Sequence, residues 1–435
     1  MLIYIMGVVL LVVILNFYLK KNSIHFISSL FPIYSFISIY ISTLYIDLNR
    51  VYSGELSKYI GGETYSAFTL LLYLILFIFS SKLVFTKKRK NKIIYFYQKN
   101  INKKYLLYGY SLYTIIAYIV FIYLIIIFLH MLTTKLPIIS GIDRVEYYRN
   151  HASFLYIILI KLLNILGILL GILYVYSQKN RHMKKIIKYS FYLFLIILFL
   201  AGNKFSTPLR FILFYLFPIG ILYINFNSFK NIPIKKVIMF FLGIFIFIFI
   251  FLQYISMFFG DRLLSDYLID RLMIAQGQLW WDYYNQYFYF NWSIDNLYHA
   301  FENTFINPLY DFQGNKFLLY LMEQTIDKQQ LLNRMENGYL YTGAYPAFVV
   351  ILLSPIGSII FHFILSLLYS LILYYFYIFL VKRMLFTAIM IAYFQVSILF
   401  IFVTSDFGHL YTYILKILLI IIAFIIDKSL TRRKK

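Results

Sequence analysis

The chain is organised as a series of apolar stretches of roughly 18–25 residues, the length a helix needs to cross the hydrocarbon core of a bilayer. Lipid offers no water to bond exposed N–H and C=O groups, and a helix satisfies them within one segment. With 62% hydrophobic and only 13% charged residues, the sequence predicts an all-α, polytopic integral membrane protein. The first stretch, Leu2 to Leu19, has no basic residue ahead of it and no small-residue cleavage site, so it reads as a permanent span and not a removed signal. Cysteine is absent, which excludes disulfides, a haem thiolate and thiolate zinc sites.

The charges are sorted by sign along the chain. Of 40 Lys and Arg, 25 fall in Lys20–Lys21, Lys87 to Lys104, Lys179 to Lys188, Lys230 to Lys236, Lys382–Arg383 and the tail after Asp427. Sixteen of the 17 Asp and Glu fall between those clusters, Asp427 being the exception. The net charge of +23 therefore follows the positive-inside rule and does not point to nucleic acid. Keeping every basic cluster in the cytoplasm requires about 11 transmembrane helices, N-terminus out and C-terminus in. The expected spans are 2–19, 24–46, 66–85, 106–132, 153–177, 187–201, 209–226, 237–257, 356–381, 384–404 and 412–427.

Three regions result. Residues 1–257 hold eight spans, 258–345 form one large external loop with amphipathic helices, and 346–435 hold a re-entrant segment, the last three spans and a basic tail. The re-entrant segment, about 345–355, is expected because Tyr345 to Leu380 is too long for one span and carries Pro355 and Gly357. A broken helix at membrane depth is tolerated where it is buried in protein or lines a water-filled cavity.

Candidate chemistry gathers on the outer side. In the large loop, Asp261 to Asp282 has helical periodicity, and Arg271 falls on its leucine-rich face with Ala275, Gln278 and Asp282. A guanidinium there needs an anion, either an internal carboxylate such as Asp282 or a ligand phosphate. In the loop at 133–152, Pro137 and Gly141 precede a short helical stretch that puts Arg144 and Tyr148 on one face. The turn Gly202–Pro208 carries Lys204, and Arg210 opens the next span; both belong near the outer headgroups, where snorkelling is the alternative to function. Lys161 and Asn164 sit one turn apart in the fifth span, roughly 12 Å along the helix from its outer end by the 1.5 Å rise, where an ionisable residue is a functional candidate. No HExxH, P-loop or GxSxG pattern occurs, and the seven histidines lack ligand spacing, which argues against metal hydrolysis and nucleotide-driven transport.

The pattern resembles the bacterial O-antigen polymerase (Wzy-type) family. The resemblance rests on the architecture together with Leu136-Pro137-Ile138-Ile139-Ser140-Gly141-Ile142-Asp143-Arg144, Gly202-Asn203-Lys204-Phe205-Ser206, Arg271 with Gln276-Gly277-Gln278-Leu279-Trp280-Trp281, and Gly338 to Pro346. It implies a membrane glycosyltransferase that joins oligosaccharide repeat units carried on undecaprenyl pyrophosphate, as donor and acceptor, at the periplasmic face of the bacterial inner membrane. A chain-length regulator protein and membrane lipid are the further partners implied. Arg144, Lys204, Arg210 and Arg271 would stabilise the departing diphosphate, so no cofactor or obligatory metal is expected. Asp282 is the catalytic carboxylate singled out, with Glu302, His299 and Asp143 as other candidate bases for the acceptor hydroxyl. Gln276, Gln278, Trp280, Trp281, Tyr148 and Tyr345 would bind sugar, although interface packing explains the two tryptophans equally well. The rival readings are a lipid-linked oligosaccharide flippase, which needs polar groups along an inner cavity, and an O-antigen ligase, whose histidine-rich loop is represented here by His299 alone.

Overall fold

A computed structural model describes residues 2–49, 66–101, 107–140, 142, 144–203, 206–223, 274–287, 293–302, 316–336, 345–404 and 410–432. Among these residues every regular element is a helix. In chain order they are α1 (Leu2–Lys21), α2 (Ser23–Ser28), α3 (Leu30–Asn49), α4 (Ser66–Val84), α5 (Lys87–Ile101), α6 (Leu107–Met131), α7 (Pro137–Ser140), α8 (Arg144–Asn150), α9 (Phe154–Lys161), α10 (Leu163–Tyr176), α11 (Arg181–Leu200) and α12 (Ser206–Ile219). The second half contributes α13 (Gln278–Tyr287), α14 (Ile294–Phe301), α15 (Lys316–Thr325), α16 (Lys328–Glu336), α17 (Ala347–Val381), α18 (Leu385–Thr404) and α19 (Leu410–Arg432). Five of the described helices are long and apolar enough to cross a membrane, or six if the bent pair α9–α10 counts as one. The protein is thus an all-α, multi-pass membrane protein. The expected span 237–257 and the periodic segment up to residue 273 lie outside the described residues.

One end of the bundle collects the basic clusters. Lys90 Nζ donates to the Lys21 carbonyl at 2.8 Å, and Tyr176 and Tyr113 hydroxyls donate to the carbonyls of Leu380 and Arg383 at 2.9 and 3.2 Å. Lys382 and Arg383 occupy the tight turn between α17 and α18, closed by Met384 N–H on the Phe379 carbonyl at 3.0 Å. The helices that start or finish there have their other termini, such as Asn49, Ser66 and Ser206, at the opposite end.

Two breaks shape the bundle. Ser354 sits at φ 67°, ψ 169° inside α17, a region that essentially only glycine adopts without strain. The cause is local: Pro355 disfavours helical geometry at the residue before it, and the Ser354 hydroxyl accepts the Gly357 N–H at 3.3 Å, capping a new helix whose first residue is proline. The second break corrects the straight fifth span: α9 and α10 meet at Leu162 with a bend of 71°. The helical rise therefore no longer gives the depth of Lys161.

Below the bend, α10 and α12 pack backbone to backbone. A Cβ on Gly167 would lie 3.2 Å from the Phe211 carbonyl oxygen, and one on Gly171 only 2.4 Å from that of Tyr215. This spacing of small residues lets membrane helices approach closely.

The core of the bundle is polar along one seam. Ser358, His362, Ser366 and Ser370 recur every fourth residue on α17 and are fully buried. His362 Nε2 is 2.8 Å from the Tyr73 carbonyl, which can only accept, so that nitrogen carries the hydrogen and Nδ1 accepts from the Tyr345 hydroxyl at 2.5 Å. At the other end, Ser370 bonds His25 Nε2 at 2.9 Å, and Tyr18 and Ser29 hydroxyls meet His25 Nδ1. Phe77 and Phe402 pack between the two histidine groups.

Candidate anion-binding site

The site is assembled where the 133–152 segment folds over the end of α11. Thr134 closes α6, Pro137 opens α7 as a helix-compatible first residue, and α8 follows with Arg144, Tyr147 and Tyr148. Tyr147 turns inward: it is buried, its hydroxyl lies 3.3 Å from Thr134 Oγ1, and its ring meets Tyr156 at 5.9 Å and 69°. Burial pushes the Tyr147 phenol above its ordinary value, and the Thr134 bond offsets part of that rise. Arg144 is exposed and Tyr148 half-buried, so α8 presents the face that its i, i+4 spacing anticipates.

α11 supplies the floor. Gly202, at φ 71°, ends the helix in the left-handed conformation, with Gly202 N–H on the Phe199 carbonyl and Asn203 N–H on that of Leu198, at 2.9 and 3.0 Å. A Cβ on Gly202 would lie 2.9 Å from Pro137 Cβ, so the missing side chain lets α7 sit directly on this turn, with Arg144 Cβ of α8 in ordinary contact range at 3.7 Å. Asn203, aimed by the turn, donates to the Tyr156 hydroxyl at 2.9 Å and to the Leu198 carbonyl at 3.1 Å.

Arg210 completes the cluster from the second turn of α12. The charges of Arg144 and Arg210 act on each other, and Arg144 also acts on Tyr156. Arg210 Nε is buried without a hydrogen-bond partner. Across the α10–α12 contact, Asn164 lies one turn before Gly167, and its Oδ1 is likewise buried and unpartnered. A buried polar group left unbonded costs about 1–3 kcal/mol, and more when charged. An anion with hydroxyl or phosphate oxygens would relieve the repulsion between the guanidinium groups and bond Arg210, which can engage two oxygens at once.

The second set of candidates forms a separate group around α13. Ser42 holds the turn ahead of it, accepting Gly277 N–H at 2.8 Å and donating to the Ile274 carbonyl at 2.7 Å. A Cβ on Gly277 would come within 2.6 Å of Thr43 N, so this part of the 258–345 region, the cap, is seated on the α3 backbone. Trp280 and Trp281 donate their indole N–H groups to the Ser66 carbonyl at 3.0 Å and to Asp47 Oδ1 at 2.7 Å. Gln278, Trp280, Trp281 and Asp282 are buried and Gln276 half-buried. Tyr345 is fully buried and committed to His362. Glu302 is half-buried and His299 exposed on α14. α3 packs against both α12 and α13 and so stands between the two groups. Lys204, Arg271 and Asp143 lie outside the described residues.

Tyr156 has no signal in the sequence, and Asn203 stands there only within the Gly202–Ser206 segment, although Gly-Asn at a helix end is a readable signal for a left-handed cap with a directed amide. No group of three or more His, Asp or Glu able to hold a metal occurs among the described residues.

A profile of a family of unknown function, DUF6418, matches residues 311–421. That range runs from the cap through the polar seam of α17 into α19 and does not include Arg144 or Arg210. No curated protein matches the chain, and neither does any solved structure.

Proposed function

We propose that the protein is a membrane glycosyltransferase that polymerises oligosaccharide repeat units carried on undecaprenyl pyrophosphate. The observation that carries this reading is the convergence of Arg144 and Arg210, with Arg210 Nε buried and unbonded. Two cations whose charges act on each other, one of them carrying the unbonded donor, favour a multivalent anion. A diphosphate leaving group develops charge on its phosphate oxygens as the glycosidic bond breaks, and cations fixed at that place stabilise the transition state more than the ground state. The new bond forms between an acceptor sugar hydroxyl and the donor's anomeric carbon; the carbon–oxygen bond to the diphosphate breaks, and the hydroxyl proton passes to a base.

In this reading Arg144 and Arg210, joined by Lys204 and Arg271, hold the diphosphate. Asn164 accepts from a hydroxyl of the bound glycan, and residues of the cap bind sugar. The Arg144 end faces the periplasm, the basic end faces the cytoplasm, the membrane is the bacterial inner membrane, and about 11 spans complete the topology. A chain-length regulator acts as a protein partner, and no metal is obligatory.

The buried seam favours this reading over a flippase. A transporter lines a cavity with its polar groups, whereas Ser358, His362 and Ser370 are fully buried and bonded to neighbouring helices or to each other's partners.

The direct test supplies purified protein in liposomes with lipid-linked repeat units and follows polymer and released undecaprenyl pyrophosphate. Wild-type protein makes both, chelators leave the rate unchanged, and Arg144→Ala or Arg210→Ala lowers it by about 100-fold or more. Wild-type rates in both variants would remove the arginine pair from the mechanism.

A further inference from the structure

The opposite end of the molecule carries a second arrangement of cations that polymerisation does not use. α5 begins two residues after membrane helix α4 ends, with Phe85 N–H bonded to the Ser81 carbonyl at 2.8 Å and Lys90 N–H to that of Thr86 at 2.9 Å. The helix therefore leaves the end of α4 with almost no linker. Its apolar face, Ile93 with Phe96 and Tyr97, packs into the core against α17. Its other face is cationic: Lys87, Lys88 and Lys92 are exposed.

The fold adds cations from remote parts of the sequence. Lys90 is tied to the Lys21 carbonyl at 2.8 Å, Arg89 lies 5.4 Å from the Tyr374 ring, and Lys382 lies 5.1 Å from the Phe96 ring. No Asp or Glu occurs between Glu63 and Asp143 in the sequence. Asp427, the carboxylate expected at this end, accepts from the Thr387 N–H and hydroxyl at 2.8 and 2.7 Å.

Beneath the cations the surface becomes apolar. Phe79 and Leu83 on α4 are 49% and 46% exposed, and Phe17 on α1 is 42% exposed. Lys82 bends over the Phe17 ring, with its Nζ 4.4 Å from the centroid. A ligand matching both parts needs an anionic head and a hydrocarbon tail. Free phosphate or nucleic acid would leave the apolar lane unused.

We propose that α5, the Lys20–Lys21 end of α1 and the α17–α18 turn form a binding site for an anionic phospholipid, with its phosphodiester head on the lysines of α5 and its acyl chains along α1 and α4. Each Lys or Arg near an anionic membrane surface adds a similar increment of attraction, so converging segments multiply the affinity.

The test is native mass spectrometry of the full-length protein titrated with phosphatidylglycerol and, separately, with phosphatidylcholine. Phosphatidylglycerol is expected to bind the more tightly. The variant Lys87→Gln/Lys88→Gln/Lys92→Gln should weaken that binding by about tenfold or more. Arg181→Gln/Lys185→Gln/Lys188→Gln removes the same charge from exposed positions on α11 and should leave it unchanged. Should the first variant fail to insert, Lys382→Gln is read in the same way. Equal binding of the two lipids, equal loss in the α11 variant, or displacement of phosphatidylglycerol by inorganic phosphate or a short DNA duplex would overturn the proposal.

Discussion

Arg144 and Arg210 are far apart in the sequence, and nothing in their spacing shows that their charges meet. What was legible was their kind: cations beside external turns, one of them sharing a helical face with Tyr148. Gly202, visible in the sequence only as a turn residue, proves to be the point on which Pro137 and α7 rest, with Arg144 beside it. Gly202→Ala is expected to destabilise the protein by about 1–2 kcal/mol from the left-handed backbone alone, with further loss from the Pro137 contact. Thermal unfolding in detergent checks this, and an unchanged transition would refute it. At the same scale, Arg210→Lys keeps the charge but removes the fork, so it should restore only a small part of the activity that Arg210→Ala loses. Full recovery with lysine would mean that a point charge suffices. The tryptophans show the limit of residue-type reasoning: stacking on sugar and packing under a cap ask for the same side chain, and nothing in the sequence shows that their indole N–H groups donate to Ser66 and Asp47.

Among elements, the two breaks differ in how well the sequence announces them. Pro355 and Gly357 mark the interruption in α17, and the structure locates it at Ser354. The bend between α9 and α10 has no such mark, because Lys161-Leu162-Leu163 contains neither proline nor glycine and hydropathy runs straight through it. Replacing Ser354 with glycine should relieve the strained backbone and raise stability by about 1 kcal/mol, provided that the lost cap to Gly357 is worth less than the strain removed. A lower transition temperature for Ser354→Gly would show the cap to dominate. α5 was read as a run of charge and not as a helix, since its apolar positions, Ile93, Phe96 and Tyr97, are few and late. The seam on α17 was equally hidden: serines every fourth residue are unremarkable in an apolar sequence until Tyr73, Tyr345 and His25 are seen to meet that face.

For the whole molecule, helical class and membrane character follow from hydropathy, because lipid leaves the backbone little choice. The gathering of Lys21, Lys90, Lys382 and Arg383 at one end agrees with the sign sorting along the chain. Sidedness has its own test, made simple by the absence of native cysteine. Ile139 and Tyr95 are 79% and 56% exposed at opposite ends, so an impermeant maleimide applied to intact spheroplasts should label Ile139→Cys and spare Tyr95→Cys. The reverse pattern would invert the topology and place the arginine pair in the cytoplasm. That the candidates divide into two groups was not legible, because it depends on α3 packing against both α12 and α13.

The central claim is that this protein lengthens a lipid-linked glycan, and the most direct measurement is the gel profile of surface lipopolysaccharide from a strain lacking its gene. The account predicts core capped with a single repeat unit, and a full ladder on return of the wild-type gene but not of Arg144→Ala or Arg210→Ala. Loss of every O-antigen band would contradict it in favour of a flippase or ligase, and an unchanged ladder would remove the protein from O-antigen assembly.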